Sequence, residues 1–314
     1  MQGLWPEWDW RNEGDESGLM SGKYKFKSSR MAVWALWLAR LTIPVAIISF
    51  LLMRFGGMHP SIAVYCFGAA IALSFLSILA SLVAFPAIWF EGYRGGQRLW
   101  GTFLRSLIII LPALTLAYFY FSRPAFSDLS TNPVEPPEFS AAWTYRHDSD
   151  NSLDVGSLEV REKQALAYPD LESLYIDHSS ELVYLVVEDE LKKAKWDIIR
   201  QTDQRDSIDG ALFEAHTRSL VTGLHYVMAI RLIPDSEFAT IVDMRSASLW
   251  GPHDLGLNAR RIQGFFASVQ ERLEQGVQHF ELQLEEIKRQ RRLEQGPLPR
   301  PKPKRRPDAT VRTG

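Results

Sequence analysis

The chain of 314 residues has one cysteine, Cys66. It sits inside the longest apolar run, so the rest of the chain can form no disulfide and hold no thiolate metal site. Catalytic punctuation is missing too: there is no Gly-x-Ser-x-Gly elbow, no phosphate loop and no dinucleotide fingerprint. His59, His147, His178, His216, His225, His253 and His279 are scattered, and no pair has helical metal-ligand spacing. No metal and no cofactor is expected. Charge is absent from the whole of Pro60–Phe90, 31 residues.

A helix needs about 20 apolar residues to cross the hydrocarbon core. The uncharged run therefore excludes an ordinary soluble protein and implies an integral partner, the lipid bilayer. Two weaker runs flank it. Met31–Met53 is interrupted by Arg40 and carries Pro44; Leu107–Phe121 carries Pro112. Proline is tolerated in membrane helices because neighbouring groups satisfy the freed carbonyl. Short connections to a strong span favour three spans over buried core helices. Arg40 reads as a side chain snorkelling to the interface beside Trp34 and Trp37, the alternative being an intramembrane functional charge.

Basic residues crowd two flanks, Lys23, Lys25, Lys27 and Arg30 before the first span and Arg94, Arg98 and Arg105 between the second and third. The first loop has only Arg54 and His59. Basic flanks stay cytoplasmic. This predicts an inner-membrane protein with a cytoplasmic N-terminus and everything after about Phe121 in the periplasm. No cleavable signal peptide is visible, and the first span serves as an uncleaved anchor.

The near-neutral total hides three blocks. Residues 1–123 carry 11 basic and 6 acidic residues, 124–287 carry 14 and 29, and 288–314 carry 10 and 2. The expected layout is a disordered cytoplasmic N-terminus over 1–30, in which Met20 or Met31 could be the start. A three-helix membrane domain follows over 31–122, then a linker over 123–139. A soluble outer domain spans 140–287, and a disordered basic Pro-rich tail spans 288–314. The tail's composition cannot bury enough surface to fold. It reads either as a solubilising segment or as a binder of anionic lipid, polymer or the acidic domain beside it. Nucleic acid is not an expected partner.

Within the outer domain, Ser180–Ala194 has a broken apolar helical face. Trp196–Gln201, Gly210–His216, His225–Leu232 and Phe238–Arg245 read as strands joined by the hairpin-sized turns DQRDSIDG, SLVTG and IPDSE. A long helix starts near Asn258. Its seam is Phe266, Val269, Leu273, Val277, Phe280, Leu284 and Ile287, in steps of three and four. The fold class is therefore α-helical transmembrane plus a soluble α+β domain, an antiparallel sheet with flanking helices. The seam beyond Leu273 has no obvious sheet to cover it, which predicts pairing with a second copy or an envelope protein through those residues.

Met244–Ile262 reads MRSASLWGPHDLGLNARRI. With DLSTNPVEPPEF at Asp128–Phe139, AYPDLESL at Ala167–Leu174 and KWDII at Lys195–Ile199, it closely resembles the family catalogued as domain of unknown function 1499. The resemblance covers about 127–275 and implies a fold with no established activity. Leu249 and Trp250 stand where Arg and a small apolar residue are expected, and Tyr226 and Val227 stand where an acidic pair is expected.

Asp243, Arg245, Ser246, Ser248, Asp254, Asn258 and Arg261 crowd one strand–loop–helix junction. In the structural reading, Asp254 or Asn258 caps the helix, Arg245 pairs with an acid, and Gly251 and Gly256 permit the turn. In the functional reading, Arg245, Ser246, Ser248, Asp254, Asn258 and Arg261 line a pocket for an anionic ligand near the helix N-terminus. The function expected is a non-enzymatic, membrane-anchored binding or interaction domain. The alternative is an envelope hydrolase or transferase with Asp243, Asp254 and His253 as acid–base groups.

Overall fold

The computed structural model describes residues 27–202 and 210–294. The N-terminal stretch, the turn over 203–209 and the tail from 295 lie outside the described residues. Three helices open the described chain: α1 (Arg30–Phe55), α2 (Pro60–Phe90) and α3 (Gly96–Ser122). Each is long and apolar enough to cross a membrane. The third begins well before its apolar run. Its first turns carry Arg98 and Arg105, whose long side chains need no apolar contact, and Arg105 donates to the Gly101 carbonyl at 2.8 Å.

The chain divides into two compact units, Met1–Ile43 with Ala70–Ile109, and Pro44–Ala69 with Ile110–Gly314. In the first, the buried positions are small: Ala32, Ala35, Ala39 and Thr42 on α1, Ala70, Ser74, Ser77 and Ala84 on α2, Thr102 and Ser106 on α3. Small side chains let helix backbones approach closely where lipid supplies no hydrophobic drive. Ser77 and Ser106 share a hydrogen bond of 2.8 Å. The Arg40 guanidinium lies 5.8 Å from the centre of the Trp37 ring, one turn toward the helix start, a position that fits snorkelling.

The second unit contains a six-stranded antiparallel sheet: β1 (Asp128–Ser130), β2 (Leu174–Ile176), β3 (Asp197–Thr202), β4 (Ala211–Arg218), β5 (His225–Ser236) and β6 (Ala239–Ser248). The order is β1-β6-β5-β4-β3, with β2 also pairing β6. Helices α4 (Leu158–Ala167), α5 (Ser180–Lys193) and α6 (Leu257–Glu294) complete it. Alternation sorts the strand residues by face. Phe213, Tyr226, Met228, Ile230, Leu232, Val242 and Met244 join Val183, Val187, Ile262 and Phe266 of α5 and α6 in the main core. On the other face Val227, Ala229, Ala247 and Leu249 pack with Phe139, Ala142 and Leu153.

Two strands and one helix escape the periodicity reading. β1 and β2 have three residues each, too few to show alternation. α4 is polar throughout, and its buried Gln164 amide donates to the Ser130 carbonyl and accepts from the Ser130 N–H. The stretch 123–139, expected as a linker, belongs to the domain. Leu129 of β1 is fully buried and Phe139 is 7% exposed in the second core. The helix α6 also runs to Glu294, through residues assigned to the tail, because Lys288–Glu294 are all helix formers with no proline among them.

The seam expectation requires a correction. Phe266, Val269, Leu273 and Phe280 are buried in the chain's own core, with Val277 and Leu284 packed against it. The cover is α5, clamped by Arg272 to Asp189 at 2.7 Å and Lys288 to Glu181 at 2.5 Å. Only Ile287 lies beyond that core, so the seam is not a free interface for a second copy.

Candidate functional site

The strand–helix junction between β6 and α6 holds the candidate residues read from the sequence. Three backbone positions there are left-handed, Gly251 (φ 89°), Leu255 (φ 57°) and Gly256 (φ 73°). The Leu255 conformation is unfavourable for an L-residue by roughly 1–2 kcal/mol. It is held by the Asp254 carboxylate, which accepts from the Gly256 N–H at 2.8 Å and the Asn258 N–H at 2.6 Å. Asp254 therefore caps α6. Burial pushes its carboxyl pKa up, against those two N–H groups and the nearby His253 and Arg261.

Asn258 uses its whole amide. Its Nδ2 donates to the Ser127 carbonyl at 2.9 Å and Ser248 Oγ at 3.1 Å, and its Oδ1 accepts from Ser246 Oγ at 3.0 Å and Arg261 at 2.6 Å. Arg261 also donates to Ser246 Oγ at 3.0 Å and lies 4.0 Å over the Tyr226 ring. Tyr226 is the position where the resemblance leads one to expect an acid; an aromatic face supports the guanidinium instead. Burial presses the Arg261 pKa down and the Tyr226 pKa up.

Arg245 is on the opposite face of β6, 2% exposed. It pairs with Asp128 at 2.6 Å and donates to the carbonyls of Pro137 (3.2 Å), Leu153 (3.0 Å) and Asp154 (3.0 Å). Phe139 covers it, with 4.5 Å from guanidinium to ring centre. Asp243 accepts from Arg231 (2.7 Å), Asn132 (3.1 Å) and Ser173 (2.5 Å). The expected six-residue pocket therefore does not assemble. Alternation along β6 parts Arg245 from Arg261, and each is already satisfied. Beside Arg245 lies a space of about 20 Å³, room for one water. The acid–base trio is equally committed: Asp243 and Asp254 as above, and His253 against the Tyr120 and Arg123 carbonyls at 3.0 and 3.1 Å.

A different place in the second unit is open. A cleft of about 470 Å³ lies between the α1–α2 loop and the loops at one end of the sheet. Arg54 at the end of α1 and His59 of the loop face it from one side, and Tyr145, His147, Asp150, Arg218, His225 and Trp250 from the other. Two hydrogen bonds join its walls, Arg54 Nε to the Leu220 carbonyl at 3.2 Å and Ser149 Oγ with His59 Nε2 at 2.9 Å. Arg218 is exposed and carries no hydrogen bond or ion pair among the described residues. Asp150 is the only carboxylate among the lining residues, and it already accepts from the His147 N–H at 2.9 Å.

Behind this wall His216 and His225 share a hydrogen bond of 2.8 Å, with Tyr145 stacked on His216 at 4.4 Å between ring centres. Burial lowers both imidazoles, His225 to about 4, helped by Arg218 and His216. His225 is therefore an uncharged hydrogen-bonding wall at neutral pH. Glu214, fully buried, braces the segment bearing Tyr145 by accepting the N–H groups of Ser140 (3.0 Å), Ala141 (2.9 Å) and Ala142 (2.9 Å).

Sequence reasoning missed this cleft because its walls are far apart in the chain, Arg54 and Arg218 being 164 positions from each other. One signal was present: the SLVTG turn carries two apolar residues at a hairpin tip.

Fold and site define a class, an α+β domain with a fully bonded strand–helix junction, carried by a chain with three helices able to span a membrane. Residues 128–269 match the family model described as Protein of unknown function (DUF1499), so the resemblance read from the sequence is shown for that stretch. No curated protein matches the chain.

Proposed function

We propose that the protein is an inner-membrane anchor presenting a non-enzymatic binding module on the periplasmic side, with the cleft beside the α1–α2 loop as its binding site. The ligand chemistry is a phosphate-type anion, as in a lipid headgroup. The observation that carries this is the pairing of Arg54 with an unengaged Arg218 across a cleft whose single carboxylate is already bonded. Guanidinium groups bind phosphate by charge-assisted, bidentate hydrogen bonds. His59, His147 and Tyr145 add polar contacts, and Trp250 adds an aromatic wall. The binding reading is favoured over the hydrolase or transferase alternative because Asp243, Asp254 and His253 are engaged in structural bonds.

The orientation rests on the basic flanks, Arg94, Arg98 and Arg105 against the lone Glu91, and on the sparse first loop. A reporter active only outside the cytoplasm should be active when fused after Pro124 and silent after Arg94; the reverse pattern overturns the orientation. Binding is tested on the detergent-solubilised full chain with dihexanoylphosphatidic acid, inorganic phosphate and dihexanoylphosphatidylcholine as probes. Phosphatidic acid should bind, with phosphate competing weakly if the headgroup alone is recognised. Equal affinity for the zwitterionic lipid would sink the anion reading.

A further inference from the structure

The β4–β5 turn differs from an ordinary exposed hairpin. Its frame is well made: Ser219 N–H donates to the Leu224 carbonyl at 2.8 Å, Gly223 N–H to the Ser219 carbonyl at 3.0 Å, and Thr222 N–H to Ser219 Oγ at 3.2 Å. The two residues at its tip are apolar and almost uncovered, Leu220 at 89% and Val221 at 66% exposure. Neither joins a core of the domain. Such a pair at a hairpin tip is unfavourable in water, and nothing in the fold requires it there.

Its neighbour says what covers it. The Leu220 carbonyl is the acceptor for Arg54, and Gly223, with φ 74°, sits against the Arg54 backbone. Arg54 is the penultimate residue of α1, directly after the lipid-type surface of Ile47, Ile48, Leu51 and Leu52 and before Phe55, itself 74% exposed. A charge at the end of an apolar span marks the headgroup level. The tip therefore lies beside the end of the apolar surface of α1.

We propose that the β4–β5 tip, Leu220–Val221, inserts into the leaflet at the Phe55 end of α1 and seats the domain on the bilayer surface. The partner is the membrane itself. This does not depend on an anionic ligand in the cleft or on which side of the membrane the domain lies. Phe238, at the β5–β6 turn, is the internal control. It is also apolar and 71% exposed, but it stands at the far end of β5, twelve residues away in strand length, or roughly 40 Å.

The test uses the full chain in phosphatidylcholine–phosphatidylglycerol vesicles in which both leaflets contain a lipid with a spin-label quencher high on its acyl chain. In a Cys66→Ala background, Leu220→Cys, Val221→Cys and Phe238→Cys are each labelled with an environment-sensitive fluorophore. Labels at 220 and 221 should emit at shorter wavelength and be quenched several-fold more than the label at 238. All three sites replace exposed side chains, so folding is not at issue, and the two tip sites check each other. Equal emission and quenching at all three positions, or no quenching at 220 and 221, would overturn the proposal.

Discussion

The junction after β6 and the cleft beside the α1–α2 loop are both crowded with polar side chains, yet they are opposites. At the junction each of Arg245, Asp243, Asn258 and Arg261 has its partners within the chain. At the cleft, Arg218 has none among the described residues, and Arg54 spends one nitrogen on a carbonyl. A buried polar group must be satisfied or it costs free energy. Density of polar residues in a sequence motif is thus a sign of a demanding backbone as much as of a ligand. What separates the two is whether the donors are already used.

The comparison breaks most visibly at Arg245. Replacing Arg245, 2% exposed, by Ala leaves the partly buried Asp128 and three carbonyls without their donor. The loss should be about 3–5 kcal/mol, as for other half-removed buried pairs. Thermal unfolding of the solubilised full chain, followed by circular dichroism, reads it; an unchanged midpoint would mean the junction is not held by its bonds. Asn258→Ala should cost less, about 1–3 kcal/mol, the penalty for stranding buried partners, by the same measurement.

Asp254 gives a test with a sign. Its pKa is raised in the folded state, chiefly by burial. The protonated form is therefore favoured on folding, so its contribution is full below the ordinary carboxylate pKa, about 4, and is lost as pH rises through the higher folded value. Asp254→Asn keeps a capping oxygen and removes that dependence. The variant should gain on the wild type as pH rises from 4 to 7, and a parallel offset at all pH values would contradict the burial argument. His225 has the opposite sign. Its folded pKa of about 4 is below the ordinary 6.5, so its stability contribution is present above 6.5 and lost as pH falls toward 4. His225→Gln should flatten the acid limb of stability between those values.

Much of this fold was legible in the sequence, for physical reasons that also mark where legibility ends. Uncharged length exposed α2 directly, alternation exposed Gly210–His216, and apolar runs bounded by hairpin-sized turns exposed His225–Leu232 and Phe238–Arg245. Three-residue β1 and β2 and the polar α4 carry no period to read. The sequence does place Asp254 or Asn258 as the cap and Gly251 and Gly256 as turn formers, and the structure has Asp254 as the cap and both glycines at positive φ. It could not show that Arg245 and Arg261 lie on opposite sides of the sheet, because that depends on α6 folding over one face of β6 while the segment bearing Phe139 and Leu153 covers the other. Nor could it join Arg54 to Arg218, since no local pattern links a helix end to a hairpin tip 164 positions later.

The smallest expected effect on stability is at Arg218, and it carries the largest consequence for function. Arg218→Ala removes an exposed side chain without a partner among the described residues, so its unfolding free energy should change by no more than about 0.5 kcal/mol. The decisive measurement is native mass spectrometry of the full chain released from detergent with added dihexanoylphosphatidic acid, comparing wild type with this variant. The account predicts lipid adducts on the wild type and a roughly tenfold loss on Arg218→Ala, the scale of one charge-assisted hydrogen bond. Equal adduct levels on both proteins would contradict it and return the cleft to the status of an empty surface fold.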